Sequence, residues 1–236
     1  MKVDIWSDVV CPWCYVGKRR FEAAAAVFAH GDELEVEWHS FELDPNAPHE
    51  HHGPIENRLA RKYGMTIDQA VAANDRLTRV GAEDGLEFRF DQARSGNTFD
   101  AHRLIHLAHD RGVQDEVKER LMRAYFTEGE LISDRETLVR VGSEAGLDPD
   151  EARAVLAGDA YAHAVRADEE AASDLGISGV PFFVVDRRFA ISGAQPTDVI
   201  VGVLERAWTK AHPEPILLVA GAATADGDCD DGSCGV

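Results

Sequence analysis

The chain has 236 residues, 44% hydrophobic and 28% charged, enough to bury a full core in one large domain or one domain with an insertion. Asp and Glu number 43 against 24 Lys and Arg, a formal charge of -19 that repels phosphate backbones and anionic lipid, so neither nucleic acid nor a membrane is an expected partner. The opening MKVDIWSDVV has no small-residue cleavage site, and no run of about 18 apolar residues is present to span a bilayer; the cytoplasm is the expected compartment.

In chain order, KVDIW alternates Val3 and Ile5 against Lys2 and Asp4, which predicts a strand. A turn carrying Cys11 and Cys14 follows, and Phe21, Ala24, Ala25 and Phe28 then recur at helical spacing up to Gly31. LEVEWHSF alternates Leu34, Val36 and Trp38 with Glu35, Glu37 and His39, a second strand that the helical crossover lays parallel to the first. From about Glu56 to Ala157 the signals are helical and capped. Ser133 with Glu136 has capping-box spacing, and Asp148 before Pro149 and Glu151 reads as an N-cap with proline at the first helical position. A helix from Tyr161 to Leu175 stops at Gly176, two β-rich runs flank the turn Asp186 to Arg188, and Pro196 opens a last helix to about Lys210. The remaining tail is rich in Gly, Ala and Asp, and its composition predicts mobility.

Four cysteines in a chain this long, in a compartment that keeps thiols reduced, point to catalysis or metal binding rather than to a stapled framework. A thiolate attacks a disulfide and a thiol does not, so a redox cysteine needs help holding its charge. Cys11 lies where a helix begins, beside unsatisfied N–H groups and the positive end of the helix dipole. Cys14 follows one turn later, placed to attack a mixed disulfide formed at Cys11. Cys11 is therefore the expected nucleophile and Cys14 the resolving thiol, with Pro12 and Trp13 as the dipeptide between them; Pro12 suits the first turn and Trp13 adds no positive charge. Zinc is the competing reading, and it needs two more ligands, which only Cys229 and Cys234 could supply as thiols. Asp4 on the first strand can point inward beneath Cys14 as a buried proton acceptor, or outward as an ordinary exposed carboxylate. His49, His51 and His52 crowd one loop, and His102, His106 and His109 share a helical face; neither group shows an obvious carboxylate second shell in sequence, so they read as a solvated loop and an ordinary amphipathic helix and no metal is assigned to either.

The segments SDVVCPWCYVG (7–17), FELDP (41–45), GNTFDAHRL (96–104) and GVPFFVVDRRFAISGAQP (179–196) together thread most of residues 2–210. On these the chain resembles the DsbA-like thioredoxin-fold oxidoreductases, most nearly their FrnE-like cytoplasmic branch. The resemblance implies an α/β, thioredoxin-like fold with a large inserted all-helical domain. Residues 1–55 and 158–212 would form the thioredoxin-like domain, 56–157 the insertion, and 213–236 a mobile tail. It implies a cis bond between Val180 and Pro181, a loop facing the cysteine pair and receiving substrate backbone, where sequence alone gives an X-Pro bond that is usually trans. It also implies that Cys229 and Cys234 form a second, relaying dithiol. The stretch from about His212 to Cys229 has an average reach above about 20 Å, sufficient to visit Cys11.

The expected activity is thiol–disulfide oxidoreduction or isomerisation on protein disulfides, without a cofactor, with glutathione or a thioredoxin-type reductant as a further partner. Two alternatives stay open: a glutathione-dependent small-molecule isomerase or transferase on the same scaffold, in which a Ser replaces Cys11, and a zinc- or partner-binding module.

Overall fold

The computed structural model describes residues 1–213. The chain opens as β1 (Lys2–Ser7), α1 (Pro12–Val27), a short 3-10 turn Gly31–Glu33, and β2 (Glu35–Ser40), with β2 parallel to β1. Six helices follow: α2 (Ile55–Tyr63), α3 (Ile67–Glu83), α4 (Phe99–Asp110), α5 (Gln114–Phe126), α6 (Arg135–Glu144) and α7 (Pro149–Ala157). The chain then returns through α8 (Ala162–Asp174), the hairpin β3 (Phe182–Val185) and β4 (Phe189–Ser192), and α9 (Thr197–Ala211). The sheet order is β2-β1-β3-β4, with β3 antiparallel to both neighbours. This is a thioredoxin-like mixed sheet carrying a helical insertion.

Alternation along β1 assigns its two faces. Val3 and Ile5 enter the main core with Cys14, Phe21 and Phe183, whereas Trp6 joins a smaller cluster with Ala172 and Ile177 of the α8 region. The main core runs without a break from the sheet into α4, α5, α6 and α7 through residues such as Leu104, Leu121, Leu138 and Leu156, so the inserted helices share the core of the strands. Phe21 stacks on Phe183 at a centroid distance of 5.7 Å, which fixes α1 over β3. The hairpin turns through Asp186, Arg187 and Arg188; Asp186 and Arg187, with left-handed φ angles of 49° and 55°, are the central residues of a turn closed by the Arg188 amide on the Val185 carbonyl.

Two local expectations are corrected. Val36 is exposed, because β2 is an edge strand and burial along it begins only toward Trp38. The N-cap of α6 is Asp134, whose carboxylate accepts from the Thr137 amide, while the neighbouring Ser133 hydroxyl donates instead to the His49 carbonyl. Asp148 caps α7 as read, accepting from the Asp150 and Glu151 amides with Pro149 in the first turn.

The polar face of β1 and β2 is tied to α8 by one carboxylate. Asp168 accepts from His39 Nδ1 at 2.8 Å and from the Ser40 amide at 2.7 Å, and lies 3.0 Å from His106 Nε2. Burial alone would push its carboxyl up, but His106, His39 and the Ser40 amide hold it well below the usual range. A carboxyl depressed by folding stabilises the fold above its unfolded value of about 4, and that contribution declines as pH falls toward the depressed folded value. Asp168→Asn is expected to cost about 2–4 kcal/mol at neutral pH, because two histidines lose a buried anionic partner. Urea unfolding of both proteins checks this, with a gap that narrows in acid.

Candidate active site

Cys11 is the N-cap of α1, with extended backbone at φ -91° and ψ 112°, and Pro12 occupies the first turn, where its missing N–H leaves nothing unpaired. The Cys14 amide donates to the Cys11 carbonyl at 3.0 Å, so the helix winds tightly from the first cysteine to the second. Both thiols are free; Cys11 is 4% exposed and Cys14 is fully buried. Trp13, between them, turns outward and is 38% exposed. Across from the pair, the Val180–Pro181 peptide is cis, and Cys11 Sγ donates to the Val180 carbonyl at 3.6 Å. Gly17 permits this approach: a Cβ on it would stand 2.8 Å from Pro181 Cγ, so α1 can lie against the loop only where it carries no side chain. Cys11, Pro12, Trp13, Cys14, Val180 and Pro181 thus form one site.

Asp4 is not part of it. It is buried, but its carboxylate lies 2.9 Å from His39 Nε2 and 3.0 Å from Lys2 Nζ, on the face of β1 that turns toward α8. Asp4, Glu37 and His39 offer ligand atoms within 4.8 Å of one another, yet the Lys2 ammonium already sits 3.0 Å from Asp4 and 2.7 Å from Glu37. That cluster is an ion-pair network with a resident cation. Cys229 and Cys234 lie outside the described residues.

Two buried charged residues adjoin the cysteines, Lys118 through its charge and Asp8 through its backbone. Lys118, on α5, is fully buried; its ammonium donates to the Ser7 carbonyl at 3.4 Å and stands 5.5 Å from the centre of the Trp38 ring. Burial pushes its pKa down to about 8 against the fields of Cys14, Asp8 and Cys11, which hold it up. Asp8 is likewise fully buried and accepts from the Leu43 amide at 2.8 Å. Burial opposes its charge, but His102, the Leu43 amide and Lys118 outweigh that and keep its carboxyl below the usual range. His102 Nε2 approaches Asp8 Oδ1 at 3.4 Å, and burial lowers the imidazole pKa while Asp8 works the other way. Cys14 is pushed well up by burial and then by Cys11, with the Asp8 backbone and the Lys118 charge working the other way.

Sequence reasoning singled out both cysteines and the proline, which the fold brings together, and did not single out the buried charges beside them. The carboxylate partners of His102 and His106 are Asp8 and Asp168, both remote in sequence, so neighbouring residues gave no sign of them. A signal for Lys118 was nonetheless present: Gln114, Lys118, Leu121, Met122 and Tyr125 recur at helical spacing and are all buried, which makes Lys118 a member of the inward stripe of α5.

A model of the DSBA-like thioredoxin domain matches residues 2–205. The chain belongs to the DsbA-like thiol–disulfide oxidoreductase family. A crystal structure of a probable DsbA oxidoreductase, SCO1869 from Streptomyces coelicolor, is 46% identical, with a TM-score of 0.85 over 96% of this chain and 97% of that one. The uncharacterized protein YwbO of Bacillus subtilis (strain 168) is 30% identical over 199 residues, covering 84% of this chain and 92% of its own length. The cytosolic disulfide reductase DsbM from Pseudomonas aeruginosa, solved with GSH, shares the fold with a TM-score of 0.64 at 20% identity, over 88% of this chain and 99% of that one. In this DsbA-like chain no helix among the described residues is long and apolar enough to cross a membrane.

Proposed function

We propose that Cys11 and Cys14 are the redox centre of a thiol–disulfide oxidoreductase acting on protein and small-molecule disulfides. The observation that carries this reading is the position of Cys11 Sγ on the Val180 carbonyl, with Cys14 buried one turn behind it. In the reducing direction, the Cys11 thiolate attacks one sulfur of a substrate disulfide, the Cys11–substrate S–S bond forms, and the other substrate sulfur leaves as a thiolate that takes a proton. Cys14 then loses its proton and attacks Cys11 Sγ, expelling the second substrate thiolate and closing the Cys11–Cys14 disulfide. Two electrons pass to the substrate, and an external thiol returns them. The positive charge of Lys118 favours the thiolate at each step, and the loop at Val180 and Pro181 offers backbone beside which an extended substrate segment lies.

Equilibration of the protein in glutathione buffers of graded ratio tests this reading. A single two-electron transition is expected, with acid-quenched, alkylated protein showing Cys11 and Cys14 oxidised together. A protein that keeps both thiols reactive across the whole series, or that holds stoichiometric zinc on them, would sink the proposal.

A further inference from the structure

We infer that the cavity beside Cys11 is built to hold a zwitterionic peptide thiol or its disulfide, with a substrate carboxylate read by the cationic face of α2. This inference rests on the redox reading above and names its substrate class. A cavity of about 520 Å³ opens from Cys11 and Trp13, is walled by apolar residues such as Leu59, Leu77 and Phe90, and reaches Arg58 and Lys62. A second cavity of about 430 Å³ shares the same two cations in its lining and adds Arg61, His51 and His52. The first volume suits a tripeptide-sized ligand.

Charge makes this wall unusual. In a chain with 43 acids against 24 Lys and Arg, most cations near a cavity should already hold a carboxylate, as Arg94 holds Glu50 close by at 2.9 Å. Arg58, Arg61 and Lys62, at positions i, i+3 and i+4 of α2, make no ion pair among the described residues. Arg58 is anchored at one end only: Nη2 donates to Ser95 Oγ at 3.0 Å, Ser95 is itself braced 2.8 Å from the buried Tyr125 hydroxyl, and the buried Nε of Arg58 has no partner. Lys62 donates to the Leu43 carbonyl at 3.4 Å and stands 5.7 Å from the centre of the Tyr63 ring. The same charges act on His51, whose pKa is lowered first by burial and next by Arg58, with Asp44 working the other way.

A guanidinium fixed at one nitrogen with donors to spare, beside an unpaired ammonium, is a carboxylate receptor. Asp44 lines both cavities and defines the class further. It repels a bare polyanion such as a phosphate group and suits the ammonium of an amino acid or peptide. The apolar floor near Cys11 then receives the thiol-bearing side chain, so the ligand's sulfur and its carboxylate are held at opposite ends of one cavity.

The test uses S-methylglutathione, which carries the ammonium and both carboxylates but cannot exchange sulfur, titrated calorimetrically into the full reduced chain. One equivalent should bind, and raising the salt should weaken it. Arg58→Gln and Lys62→Gln should each lose about tenfold or more in affinity, as expected for a charge-assisted hydrogen bond to a carboxylate. The diethyl ester of the same compound should bind the unaltered protein about tenfold more weakly, and acid and ester should become alike in the Arg58→Gln, Lys62→Gln double variant. If Arg58→Gln fails to fold because Ser95 and Tyr125 lose their brace, Lys62→Gln and Arg61→Gln still decide the matter. Absence of binding, equal affinity for acid and ester, or variants that bind like the unaltered chain overturns the inference. Because the probe cannot be reduced or oxidised, the result stands apart from the glutathione-buffer titration that judges the redox reading.

Discussion

Cys11→Ser lowers the rate of disulfide exchange by about a thousandfold or more, to the level of the uncatalysed thiol background, because it removes the sulfur that forms the first covalent bond. Cys14→Ser behaves differently. It keeps the attacking thiol on the Val180 carbonyl and removes only the group that resolves the mixed disulfide, so the protein should accumulate joined through Cys11 to its substrate. Insulin reduction gives the rates, and intact-mass measurement after acid quenching gives the trapped species. The two variants must diverge in this order. If Cys14→Ser loses the first attack and Cys11→Ser traps substrate, the roles are reversed; if Cys11→Ser turns over normally, this pair is not the redox centre.

Lys118→Met removes a buried positive charge that acts on both thiols without touching the substrate. The reduced protein gains most from that charge, since only the reduced form holds a thiolate. Losing it makes the disulfide relatively easier to form and the couple more reducing. A tenfold change in the exchange equilibrium corresponds to about 30 mV, and the potential should fall by at least that much. The pH dependence separates a field effect from a packing defect. Burial has pushed Lys118 down to about 8, so the unaltered protein loses this charge as pH rises through that value. The difference between the two proteins should therefore shrink above about pH 8. A gap that stays constant with pH, or an unchanged potential, would mean that Lys118 only fills space.

How much of this was legible in the sequence differs from residue to residue for physical reasons. β1, α1 and β2 were readable because periodicity is local and the cysteines sit at its boundary. Asp148 was readable as a cap because its partners are the next two residues with free amides, whereas Ser133 was misread because Asp134, one position on, is an equally good cap and sequence spacing does not choose between them. Asp4 shows the limit of strand alternation. The pattern separates the two faces of β1 correctly, but it does not say which face the cysteines will meet, and that was decided by α1 packing over Val3 and Ile5. Lys118 lies about a hundred residues from Cys14, and a lysine on a helix ordinarily reads as solvated; only the buried stripe around it argued otherwise.

The approach of Lys118 from α5 limits how this protein can be taken apart. A reduced version keeping only the four strands with α1, α8 and α9 would retain both cysteines, Gly17 and Pro181, and by motif inspection would look like a complete enzyme. It would lack the cation beneath the thiols, the His102 ring against Asp8, and the cavity wall supplied by α2 and α3. Grafting the motif without its helices therefore transfers the sulfur atoms but not the environment that sets their reactivity, and swapping the helices between relatives with the strands held fixed is a route to proteins of different redox character.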